Sequence, residues 1–196
     1  MADDVSDAAA CLQSGGVVLL PTDTVLGLAA SPLHPDAVAR VFALKARAVD
    51  KNLPVMAATA DQIEALGADL TPVARRLIAS PYCPGPLTLA VALRPRVDWL
   101  QRRDEIAFRI PDDARLLSML TTVGPLLVTS ANRSGVAPPD TTEAAAAQLT
   151  GAPDLILAGR ARQEAPSTLV NCSVTPPVVE REGAVPAAVL ARYWAE

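Results

Sequence analysis

The feature that most constrains this chain is the way its hydrophobic content is cut into short pieces that stop abruptly in small polar side chains. "VVLL" at 17–20 ends in Pro-Thr-Asp-Thr, and "LLV" at 126–128 ends in Thr-Ser-Ala-Asn. Apolar runs this short, bounded by turn residues, read as buried strands. A strand that ends in hydroxyls and a carboxylate, with Gly27 close behind, offers hydrogen-bonding groups where backbone or ligand can approach.

Helical periodicity fills the intervals. Residues 4–14 predict an amphipathic helix stopped by Gly15 and Gly16, and "HPDAVARVFALKAR" predicts a second, with Val38, Val41, Phe42 and Lys45 at three- and four-residue spacing. "TPVARRLIAS" carries an N-cap threonine with proline at the first helical position. "DARLLSMLTTVG", "TTEAAAAQL" and a short segment from about Pro186 read as further helices. Strands are predicted at "LPVMAA", "PLTLAVAL", "EIAFRIP", and near 154–157, 168–173 and 177–181. Alternating elements followed by clustered strands predict an α/β fold with a mixed sheet, undivided over residues 1–196, because the proline-rich stretches are short loops rather than linkers.

Composition narrows the function. At 196 residues, 51% of them hydrophobic, a real core is available, yet no apolar run approaches the ~18 residues of a membrane span. The opening "MADDVSDAAA" carries acidic but no basic residues and predicts no leader, hence a cytoplasmic protein. A net charge of −4 argues against gripping nucleic acid by bulk electrostatics, so any basic site must be local. Cys11, Cys83 and Cys172 are scattered, with His34 the one histidine, so the expectation is no disulfide framework, no protein-ligated metal and no His-dependent triad.

Phosphate-loop, dinucleotide-binding, nucleophile-elbow and HExxH patterns are missing from the sequence. Three polar clusters at predicted strand ends remain: Thr22 to Thr24; Lys45, Arg47 and Lys51; and Thr129, Ser130, Asn132 and Ser134 with Gly135. Both lysines of the chain fall in the second cluster, and guanidinium and ammonium groups together suit phosphate oxygens. The competing reading of those basic residues is a solvated helix end complementing the helix dipole.

In order along the chain, "PTDTVLGLA", "LKARAVDKNLPV", "PGPLTLAV", "IAFRIPD", "TSANRSG" and "STLVN" resemble the successive blocks of the YrdC-like threonylcarbamoyl-AMP synthases, over about residues 5–186. The resemblance implies a twisted, mostly antiparallel or mixed sheet flanked by helices, in the short form of the family. It implies an enzyme that condenses L-threonine, bicarbonate and ATP, accompanied by magnesium, to threonylcarbamoyl-adenylate and pyrophosphate. A separate transferase then modifies transfer RNA, with which this chain itself would make at most weak contact. By carry-over, Lys45 and Arg47 are catalytic and face phosphates and carbamate, with Lys51 nearby. Thr22, Thr24, Arg109 and Ser167 line the threonine pocket; Ser130, Asn132 and Arg181 bind nucleotide, with Asp112 and Ser134 as further candidates. Leu26 stands where the family usually has an aromatic residue, Met56 where some members have histidine, Arg133 where leucine is common and Asn171 where aspartate is common. Three rival readings stay open: a paralogue of the same fold that binds nucleotide or RNA without making the adenylate, a carbamoyl-transfer module like that of hydrogenase-maturation proteins, and an RNA-binding protein.

Overall fold

The computed structural model describes residues 2–49, 52–94, 104–162 and 165–194. Within these, nine strands form one sheet in the order β7-β1-β2-β6-β3-β5-β4-β8-β9. They are β1 Val17–Leu20, β2 Gly27–Ala30, β3 Val55–Met56, β4 Leu87–Ala92, β5 Glu105–Arg109, β6 Leu126–Ser130, β7 Leu155–Ile156, β8 Thr168–Asn171 and β9 Val178–Arg181. The sheet is mixed. β1–β2, β2–β6, β3–β6, β4–β5 and β8–β9 run antiparallel, while β1–β7, β3–β5 and β4–β8 run parallel.

Seven helices accompany it among the described residues: α1 Ala2–Gln13, α2 Pro35–Lys45, α3 Ala60–Ala65, α4 Pro72–Ile78, α5 Ala114–Val123, α6 Thr142–Gln148 and α7 Ala187–Ala191. Their starts follow from side chains that satisfy orphan backbone donors. Thr71 accepts from Ala74 N–H at 3.2 Å, Asp113 from Leu116 N–H at 3.1 Å and Thr141 from Ala144 N–H at 3.2 Å. Two elements were absent from the sequence reading, β2 and α3, and the strand expected at "LPVMAA" contracts to the two residues of β3.

Period-two alternation divides the core between the two faces of the sheet. Val17, Leu19, Leu28, Val55, Leu87, Leu89, Ile106, Phe108, Leu127 and Val170 point to one face, where α2, α3, α4, α6 and α7 supply Val41, Phe42, Ile63, Leu77, Ala145 and Leu190. Val18, Leu20, Ala29, Met56, Leu126 and Val128 point to the other, where α1 and α5 supply Leu12, Leu116, Met119 and Leu120. Among the described residues, that second layer of helices covers only the β1-β2-β6-β3 part of its face. Over β5, β4, β8 and β9 the same face meets no helix of the second cluster, and there the strands turn polar side chains outward.

Candidate active site

This part of the face holds a cavity of about 400 Å³, a size usual for small-molecule sites. Its floor is dictated by strand alternation. On β5, Ile106 and Phe108 face the core while Glu105, Ala107 and Arg109 face the cavity; on β4, Thr88 lines it between the core residues Leu87 and Leu89. Ser167 and Leu169 add the β8 side and Arg181 the β9 side. The opposite wall comes from the β1–β2 loop with Thr22, Thr24 and Leu26, from Gly27 at the start of β2, from the end of β6 with Ser130, and from Arg47, Asn52 and Met56.

One end is a closed hydrogen-bond network. Thr22 Oγ1 donates to the Val25 carbonyl at 2.6 Å and accepts from Thr24 N–H at 3.0 Å, folding the loop onto itself. Thr24 Oγ1 lies 3.2 Å from Thr22 Oγ1 and accepts from Arg109 Nη1 at 2.6 Å. Arg109, only 5% exposed, also donates from Nε to the Gly85 carbonyl at 3.1 Å and from Nη2 to Asp23 Oδ1. Burial lowers the Arg109 pKa and the Asp23 carboxylate opposes that shift. Outside this network, Arg162 N–H donates to the Thr24 carbonyl at 2.9 Å and its guanidinium pairs with Asp113 at 2.8 Å.

Across the cavity, Arg181 donates to the Ser167 carbonyl at 2.8 Å from Nη2 and at 3.2 Å from Nε, and to Ser167 Oγ at 3.2 Å. Ser167 Oγ is in turn 2.7 Å from Thr88 Oγ1. Burial lowers the Arg181 pKa as well. Gly183 permits this arrangement: a Cβ there would stand 2.2 Å from the Pro166 carbonyl oxygen and 2.7 Å from that of Ser167.

The sequence candidates therefore separate. Thr22, Thr24, Arg47, Arg109, Ser130, Ser167 and Arg181 come together on one cavity. Arg47 also donates to the Asn52 carbonyl at 3.1 Å. Lys45 and Asn132 are not on its wall. Lys45, expected at a solvated helix end or in a phosphate site, is 1% exposed; it continues the buried face of Val38, Val41 and Phe42. Its ammonium donates to the Ser130 carbonyl, to the Asn132 carbonyl at 2.7 Å and to Asn132 Oδ1 at 3.3 Å. Burial, and secondarily the charge of Arg47, pushes its pKa down to about 8. The Asn132 amide donates to the Val136 carbonyl at 2.5 Å, and Ser134 N–H to the Lys45 carbonyl at 2.8 Å, so the segment after β6 is built around Lys45. Asp112 enters through its backbone N–H, which donates to Asp23 Oδ2 at 3.0 Å. Lys51 lies outside the described residues. The sequence reading missed Asp23 as an ionic partner, and Thr88, Asn52 and Glu105 as wall residues. Glu105 Oε2 accepts from Asn171 Nδ2 at 3.2 Å and from Ser173 Oγ at 3.1 Å. His34 is away from the cavity, its ring 2.8 Å from the Gln13 carbonyl where α1 meets α2.

Known proteins resemble this chain over most of its length. A family model for Sua5, YciO and YrdC, described as telomere recombination, matches residues 10–183. The chain belongs to the Sua5/YciO/YrdC family. A Mycobacterium tuberculosis member is 34% identical over 184 residues, which are 92% of this chain and 84% of its own length. The threonylcarbamoyl-AMP synthase of Pseudomonas aeruginosa is 39% identical over 130 residues, 65% of this chain and 70% of that protein. Among solved structures, Pyrococcus abyssi Sua5 complexed with L-threonine superposes with a TM-score of 0.87 at 30% identity, over 96% of this chain and 56% of that one. The chain thus spans little more than half of that longer member. Escherichia coli YciO shares the fold, with a TM-score of 0.82 at 24% identity over 93% of this chain and 90% of its own. The expected α/β architecture, a mixed sheet flanked by helices, is the observed one.

Proposed function

We propose that this protein is a threonylcarbamoyl-AMP synthase, joining L-threonine, bicarbonate and ATP for the threonylcarbamoyladenosine modification of transfer RNA. The observation that carries the reading is the convergence of Thr22, Thr24, Arg109 and Ser167 with Arg47, Ser130 and Arg181 on one cavity, in a chain that superposes on a Sua5 holding L-threonine. In this reading the threonine carboxylate meets Arg109, and Thr22, Thr24 and Ser167 surround the amino acid. Arg47, Ser130 and Arg181 serve the nucleotide. Bicarbonate takes up a proton and loses water to give dissolved carbon dioxide, to which the threonine amine adds with loss of a proton, forming a carbamate. A carbamate oxygen then attacks the α-phosphorus of ATP, and pyrophosphate leaves with the electron pair of the broken bond. Such a step calls for positioning and charge neutralisation rather than a histidine.

Lys45 would act from behind the wall by fixing Ser130 and the segment after it, because reaching a phosphate would mean giving up three acceptors. Among the described residues the donor set of the cavity, one carboxylate at Glu105 among hydroxyls, guanidinium groups and apolar side chains, does not suit a resident divalent ion. Magnesium therefore arrives on the phosphates of ATP, as part of the substrate. The product passes to a separate transferase; direct contact with transfer RNA is weak, in keeping with the net charge of −4. No helix among the described residues is long and apolar enough to cross a membrane, and the cytoplasm is the proposed location.

The test is pyrophosphate release with ATP, L-threonine and bicarbonate supplied together and singly omitted. Release that depends on all three is expected. ATP consumption indifferent to threonine would overturn this reading in favour of a nucleotide-binding paralogue.

A further inference from the structure

Asp23 lies between two wall residues, Thr22 and Thr24, yet it is not on the wall itself. Its side chain is 6% exposed and both carboxylate oxygens are engaged, Oδ1 by Arg109 Nη2 and Oδ2 by Asp112 N–H at 3.0 Å. It therefore clips the β1–β2 loop to the chain that leaves β5. Arg109 is gripped from three directions: Gly85 at Nε, Thr24 at Nη1 and Asp23 at Nη2. A guanidinium has five N–H groups, so these three bonds leave one N–H on each Nη that a ligand carboxylate can engage. Among the described residues Asp23 is the one carboxylate bonded to Arg109, and the nearby charge of Arg181 repels that same guanidinium. Removing a single member of a buried ion pair leaves an uncompensated charge, which then moves toward solvent or another partner.

We propose that Asp23 is a positioning residue for amino-acid recognition: without touching substrate, it holds the Arg109 fork at the angle that accepts a substrate carboxylate. This rests on the proposed function, which places the threonine carboxylate at Arg109. Loss of Asp23 frees the fork and raises the KM for threonine, while Arg47, Ser130 and Arg181, which it does not bond, keep the affinity for nucleotide. Asp23→Asn is the informative companion to Asp23→Ala. It preserves volume, but its amide presents a donor to either Arg109 or the Asp112 N–H, so one of the two bonds is lost.

The experiment measures, for wild type, Asp23→Ala and Asp23→Asn, the KM values for threonine and ATP in the pyrophosphate assay and binding of a non-hydrolysable ATP analogue by calorimetry. The expected result is a threonine KM raised at least tenfold in Asp23→Ala and severalfold in Asp23→Asn, with ATP KM and analogue affinity within twofold of wild type. Equal shifts for both substrates, no shift, or loss of analogue binding in both variants would overturn the inference, the last because Asp23 would then be a folding residue. Wild type that binds the analogue but shows no response to threonine would instead overturn the proposed function, and the reason for Asp23 with it.

Discussion

Lys45→Ala tests whether a buried ammonium, rather than a surface one, organises the segment after β6. A side chain in an open cleft would be removable at a cost under roughly 0.5 kcal/mol. Here Lys45 is 1% exposed. Truncation removes its γ, δ and ε methylenes from the core, at about 0.8 kcal/mol each. It also leaves the Ser130 and Asn132 carbonyls without their charged donor, at about 1–3 kcal/mol for each that water does not reach. Against this stands the relief of desolvation: a pKa lowered from 10.5 to about 8 corresponds to about 3 kcal/mol. The net expectation is a loss of about 3 kcal/mol for Lys45→Ala, and of about 1 kcal/mol for Lys45→Met, which keeps the packing and the relief. Urea denaturation of both variants against wild type reads these values directly. Lys45→Ala within 0.5 kcal/mol of wild type would refute the buried-anchor account and return Lys45 to the cavity.

Because the folded-state pKa of Lys45 lies below its unfolded value, the unfolded chain holds the extra proton between pH 8 and 10.5, so this group makes stability rise with pH across that window. Thiols pushed up to about 11 at Cys83 and about 12 at Cys172 act oppositely above pH 9, so the rise is to be read as wild type minus Lys45→Met, and a flat difference would refute it. Leu26→Tyr adds atoms at a fully buried position in the core and is expected to cost about 1–3 kcal/mol in thermal unfolding, with weaker rather than tighter threonine binding. Gly183→Ala forces its Cβ against the Pro166 and Ser167 carbonyls; the backbone shift is expected to cost about 1–3 kcal/mol and to raise the ATP KM through Arg181, and a variant with wild-type melting temperature and KM would contradict this.

Much of the fold was legible because local chemistry and tertiary structure agree. Thr71 with Pro72, Asp113 and Thr141 mark helix starts by residue type alone, and the β5 run alternates core and cavity residues as its sequence does. β2 escaped because Gly27 and the alanines at 29 and 30 have no strand preference of their own; pairing with β1 and β6 makes them a strand. α3 has six residues, too few to display a period. In the site, the wall threonines and arginines could be found from the blocks, but the Asp23–Arg109 pair joins residues 86 positions apart, and no local pattern carries that information. For Lys45 the signal was present and ambiguous. Its spacing from Val38, Val41 and Phe42 put it on the buried face, while its charge argued for solvent, and three acceptors resolve the conflict in favour of burial.

Asp23 and Lys45 solve the same problem on neighbouring loops. β1, β2 and β6 are adjacent, and Leu20, Gly27 and Ser130 stand level across them, so the β1–β2 loop and the segment after β6 leave the sheet at one end. Neither loop has regular structure to hold its shape, and both present wall residues. Each is pinned by a charge turned away from the cavity: a carboxylate that reaches Arg109 and the Asp112 N–H, and an ammonium that reaches two carbonyls and an amide oxygen. The Ala131 N–H donates to the Leu26 carbonyl at 2.8 Å, which joins the two loops to each other. Charges set one layer behind a binding wall can fix its polar groups before substrate arrives, and that pre-organisation is what positioning catalysis requires. It also explains why the wall itself can be made mostly of hydroxyls, guanidinium groups and apolar side chains: the alignment it needs is imposed from behind.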